Sequence, residues 1–159
     1  MIEMIVTVGI MVLLSGAALT SYLSFRDRKQ ASSDARLVME HLRMVRVKAT
    51  AVDVPLSLST PFLPIPGIQN YTVTIGSTSI TTDVHFTSQT RSNYIPAINF
   101  TSGTTLTPTS LVFLAKSGSL VGGATTIVVC GVGRYRYTMA VNESGIVSDP
   151  LLVPSATCP

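Results

Sequence analysis

Tryptophan is absent, cysteine occurs twice and histidine twice, and charged residues make up 12% of the 159-residue chain. Each scarcity excludes something. Two cysteines in this length exclude a disulfide-dense miniprotein. Few charges with 46% apolar residues exclude a disordered chain, whose signature is low hydrophobicity with high net charge. Only one apolar run approaches the length needed to cross a bilayer, which argues against several membrane passes. The mean hydropathy of +0.45 is high, and the excess is concentrated at the N-terminus.

From Met4 to Phe25 no residue carries a charge. A helix over this run would reach ~33 Å against a hydrocarbon core of ~30 Å. A cleaved signal peptide fits poorly, because no basic segment precedes the run and Glu3 stands at its outer end. Residues 1–25 therefore read as a retained membrane anchor, with Met4, Ile5, Ile10, Leu13, Leu14, Leu19 and Phe25 among the spanning residues. Seven of the eleven Lys and Arg residues follow between Arg26 and Lys48, so the net +3 sits on one segment and residues 49–159 balance to zero. By the positive-inside rule the basic flank would be cytoplasmic; the cysteines and the Thr-rich body point the other way.

Residues 26–53 continue the helix as an amphipathic half. Ala31, Ala35, Val38, Leu42, Val45, Ala49 and Val52 recur at steps of three and four, a narrow apolar stripe with Arg28, Asp34, Arg36 and Arg43 off it. No Gly or Pro occurs from Ala17 to Val54, so nothing stops the helix before Pro55. Beyond that point the period drops to two. Tyr71, Val73 and Ile75 share one face, as do Ile80, Val84 and Phe86, and Tyr135, Tyr137, Met139 and Val141. Gly- and Pro-containing turns separate these runs, which predicts antiparallel strands in one sheet or a small sandwich over residues 54–159. Ser88–Pro108 reads mostly as loop, and Leu151–Pro159, with two prolines, shows no strand pattern. The fold class is α+β: a long N-terminal helix, half membrane-spanning and half amphipathic, packed on a β-rich head.

The opening MIEMIVTVGIMVLL, an acidic residue at the head of a long uncharged helix, resembles the N-terminus of type IV pilins and pseudopilins. In that family a leader ending in Gly is removed before a Phe, and the new N-terminus is methylated. Glu3 matches the family's glutamate; the leader, Gly and Phe would lie upstream of Met1. The stretch LVFLAKSGSLVGGATTIVVCGVGRYRYTMAVNESGIVSD is similar to the C-terminal sheet of H-type minor pseudopilins and their pilus counterparts, without the arginines of their final Gly-Arg-x-Arg turn. The resemblance implies a non-enzymatic subunit of a pilus-like or type II secretion filament, held as a single-pass protein of the cytoplasmic membrane with its head outside. It implies other pilin or pseudopilin subunits as partners, the membrane itself, and a prepilin peptidase where a leader exists. It also implies that Glu3 pairs with the N-terminal amine of a neighbouring subunit during assembly.

Rival chemistries find little to use. Catalysis needs a convergent nucleophile, base and oxyanion donor, and the two histidines, His41 and His85, fall on separate elements. A metal site would need His41, His85, Cys130 and Cys158 gathered without any short ligand spacing. Gly131-Val132-Gly133 lacks the third Gly and the Lys of a phosphate loop. Neither a cofactor, a metal nor a small-molecule substrate is expected. The runner-up function is DNA capture or adhesion through Arg134 and Arg136, yet alternation places these opposite Tyr135 and Tyr137 as the solvated face of a strand, and the head is neutral. Cys130 and Cys158 are either two buried thiols, ordinary in a cytosolic protein, or, with the head outside the membrane, a disulfide closing the C-terminal segment.

Overall fold

The stripe at steps of three and four is where the helix meets the rest of the molecule. In the computed structural model, which describes residues 2–51, 67–87, 89–100, 103–132, 135–153 and 158, one helix α1 runs Ile2–Ala51. Within it, the side chains of residues 2, 5 and 13–18 lie outside the description, as does Val52. Ala31, Ala35, Val38, Leu42, Val45 and Ala49 are fully buried. Glu3 in the first turn and Lys48 in the last complement the helix dipole, and most residues between Leu23 and Ala51 are good helix formers.

The head is two antiparallel sheets. One has the order β3-β2-β1-β5-β6, from β1 (Ile68–Ile75), β2 (Ser79–Phe86), β3 (Thr90–Asn99), β5 (Thr109–Leu114) and β6 (Leu120–Val121). The other has the order β4-β7-β8-β9, from β4 (Thr105–Leu106), β7 (Thr125–Cys130), β8 (Arg136–Val141) and β9 (Leu151–Val153). Period-two alternation sends one face of each inward. Tyr71 lies opposite Val84 on one side and Phe113 on the other, and all three are fully buried. Ile127 opposes Met139 and Val129 opposes Tyr137 on the second sheet, again facing the core. The helix stripe and both inner faces make a single apolar cluster, so truncating a central member such as Leu42 to Ala would cost ~2–5 kcal/mol.

Three expectations need correction. Ser88–Pro108 is not mostly loop, because β3 and β4 fall within it. Leu151–Val153 pairs with β8 as an edge strand although the tail shows no strand pattern. Asp34, off the stripe, is buried and accepts hydrogen bonds from Thr104 Oγ1 at 2.5 Å and Gln30 Nε2 at 3.0 Å. The third correction concerns the anchor. The helix packs on antiparallel sheets, compatible with α+β, but among the described residues no helix is long and apolar enough to cross a membrane. The spanning half of the fold assignment, and with it the single-pass inner-membrane localisation with an external head, is not supported. With the side chains of residues 2, 5 and 13–18 outside the description, the described apolar stretches of α1 are each shorter than a span.

Candidate assembly interface

Upstream of Ser24 the helix leaves the head. A hydrogen bond of 2.7 Å between Ser24 Oγ and the Tyr135 hydroxyl marks the point of departure. Beyond it, Met4, Val6, Val8, Ile10, Met11 and Val12 are all more than half exposed. At about 100° per residue these six fall on two opposite sides of the helix. Leu19, Tyr22 and Phe25, at 61, 63 and 59% exposure, extend the same surface toward the head. Contiguous exposed apolar surface of this extent marks an interaction site.

The residues singled out in the sequence are distributed as follows. Met4, Ile10, Leu19 and Phe25 lie on this exposed surface, while the side chains of Ile5, Leu13 and Leu14 lie outside the described residues. Glu3 is exposed in the first turn, where its carbonyl accepts from Thr7 Oγ1 at 2.9 Å. Cys130 and Cys158 form a disulfide with a Cα–Cα distance of 5.8 Å, tying the C-terminal segment to the end of β7. Arg134 lies outside the described residues. Arg136 is half-buried on the face of β8 opposite Tyr137 and Met139, as alternation requires. Its Nε is buried without a partner among the described residues.

The histidines do not meet as a reactive group. His41 is buried against the sheet, its Nε2 2.8 Å from the Thr82 hydroxyl, and burial pushes its pKa below the ordinary value near 6.5. His85 Nδ1 lies 2.9 Å from Thr90 Oγ1. Among the described residues no group of three His, Cys, Asp or Glu is placed to hold a metal.

Two features of the helix–head joint escaped the sequence. Gly131 sits against Ala31 so closely that a Cβ at 131 would fall 2.3 Å from the Ala31 Cβ. Asp34 clasps Thr104 across 70 residues of chain. A small residue at 31 and a carboxylate at 34 are signals only once their distant partners are known. Arg43 also reaches the head, donating to Val147 O at 3.2 Å and to Asp149 at 2.9 Å, and Arg46 Nε donates to Ser144 O at 3.2 Å. The helix is thus fixed firmly along residues 31–49 and contributes an uncovered arm upstream of Ser24. Comparison with protein-family models, curated proteins and solved structures finds no match to this chain.

Proposed function

We propose that the chain is a non-enzymatic structural subunit of a pilin- or pseudopilin-like filament, entering it by packing the N-terminal arm of α1 against the same arm of other subunits. The observation that carries this reading is the arm itself: large apolar side chains on two opposite sides, with no part of the described head against them. Burial of such surface is favourable at about 25 cal/mol per Å², and a bundle of helices is the arrangement that covers both sides at once. A structural role is further supported by the use already made of the polar groups. His41 holds Thr82, His85 holds Thr90, and Asp34 holds Thr104.

The test is concentration-dependent assembly of the full chain, followed by sedimentation and electron microscopy. Val8→Asp with Met11→Asp places charge on the arm at exposed positions. This double variant should abolish assembly while leaving the melting of the head unchanged. A wild-type chain that stays monomeric at every concentration, or a double variant that assembles normally, would overturn the reading.

A further inference from the structure

The positive charge of the chain is gathered along one side of α1. Lys29, Arg36 and Arg43 follow one another at seven-residue steps, about 10.5 Å apart along the axis. Arg28 and Arg46 flank that line. Arg28, Lys29 and Arg36 are exposed, and no described carboxylate lies within ion-pair distance of them. Arg43, by contrast, is already engaged by Asp149.

A groove runs beside this line, between α1 and the four-stranded sheet. It consists of two cavities of about 310 and 370 Å³ that share Ser32. The first has Phe25 and Tyr137 as walls, with Arg28 and Lys29 at its rim. The second has Met39 and Pro150 as walls, and its charged groups are Arg36, Glu40 and Asp149. The groove is therefore basic at one end and mixed at the other.

We propose that this groove seats an acidic helix of a different subunit, with carboxylates seven residues apart opposite Lys29 and Arg36 and a cation opposite Glu40. The inference rests on the assembly reading and names a partner for it. A helix laid along α1 repeats its own side chains at the same seven-residue pitch, so two carboxylates reach both cations together. Arg favours this because its planar guanidinium binds a carboxylate through two parallel hydrogen bonds. A second copy of the chain does not supply such a helix. Of the acids on α1, Asp27 pairs with Arg26, Asp34 is buried against Thr104, and Glu3 and Glu40 are far apart. A nucleic acid is also disfavoured, because Glu40 would meet its phosphates and it brings no cation to that carboxylate.

The test uses the full chain and synthetic helical peptides, with affinity read by fluorescence anisotropy at low salt, where screening extends to ~30 Å. One peptide carries two Glu seven residues apart and a Lys four residues beyond; its mirror order serves an antiparallel partner. A third has the same composition with the Glu pair respaced, and a DNA duplex is the polyanion probe. One of the heptad-spaced peptides should bind at least tenfold more tightly than the respaced one. Lys29→Gln with Arg36→Gln should weaken that binding at least tenfold, and Lys29→Glu with Arg36→Glu should switch preference to a peptide bearing Lys in place of its Glu pair. Equal affinity for the respaced peptide, tighter binding of the duplex, or no binding by either heptad peptide would overturn the inference. The Val8→Asp, Met11→Asp chain separates the two proposals. Its binding of the heptad peptide tests the groove alone, whereas assembly of the wild-type chain tests the arm alone.

Discussion

The approach of Gly131 to Ala31 is the tightest demand that the helix–sheet joint makes on sequence, and its cost can be worked out. A methyl at 131 would lie 2.3 Å from the Ala31 Cβ and 3.1 Å from its Cα. Carbon atoms pack at about 3.5–4.0 Å, so α1 would have to withdraw by more than an ångström where Ala31 is fully buried. Neither methyl can rotate away. Overpacking of this kind costs ~1–3 kcal/mol, and Gly131→Ala belongs at the upper end because relief requires moving helix backbone. Ala31→Gly alone removes a buried methyl, ~0.8 kcal/mol, and places Gly inside a helix, ~1 kcal/mol. Combined, the two substitutions transfer the methyl from helix to strand and remove the worst overlap. The double variant should therefore be more stable than the sum of the singles predicts by ~1–2 kcal/mol. Urea unfolding followed by circular dichroism at 222 nm gives the three differences. Additivity within ~0.5 kcal/mol, the range for independent sites, would show that residues 31 and 131 do not touch as described and would refute the packing account.

Other substitutions probe the remaining ties. Joining residues 28 apart restricts the unfolded chain, for which the loop-closure relation gives ~3–4 kcal/mol; Cys130→Ser with Cys158→Ser should lower the melting temperature by roughly 6–16 °C in calorimetry. Thr104→Val leaves the buried Asp34 carboxylate with Gln30 as its described donor, and denaturant unfolding should show a loss of ~1.5–3 kcal/mol. His41 has its pKa lowered by burial, so the unfolded state binds the proton first; stability should fall as pH drops below about 6.5 and level off once the folded state also protonates. His41→Gln should flatten that acid limb in melts taken across the pH range.

What could be read in the sequence follows from where one periodic face met the core. The helix stripe and the alternation of β1, β2 and β8 were legible because every buried position on them is apolar or, at Thr82, small enough to hide among apolar neighbours. β3 was not legible for a physical reason. It is an edge strand with only Ile95 buried, its register with β2 shifts twice, Asn93 takes a positive φ of 52°, and Pro96 interrupts it. Such irregularity is how an exposed edge avoids pairing with another chain, and it erases the pattern that would reveal a strand. β9 escaped in the same way: three residues beside a disulfide-held tail need no alternation of their own.

The N-terminal run shows the opposite failure, a strong pattern with too broad a reading. Freedom from charge over Met4–Phe25 fits a helix destined for lipid and equally one destined for other helices. The two environments differ in what they tolerate. Lipid penalises each unpaired polar group, whereas a helix bundle accommodates Thr, Ser and Gly by close approach or by hydrogen bonds between helices. Thr7 already turns its hydroxyl back onto the carbonyls of Glu3 and Met4, and Ser24 is spent on Tyr135. Thr20 and Ser21 lie one turn further out, where small polar side chains would let neighbouring helices approach. The arm's hydroxyls at Thr7 and Ser24 are thus already bonded, and its small residues leave room for other helices to approach. Charge placed at Val8 and Met11 is therefore the substitution on which the assembly reading stands or falls.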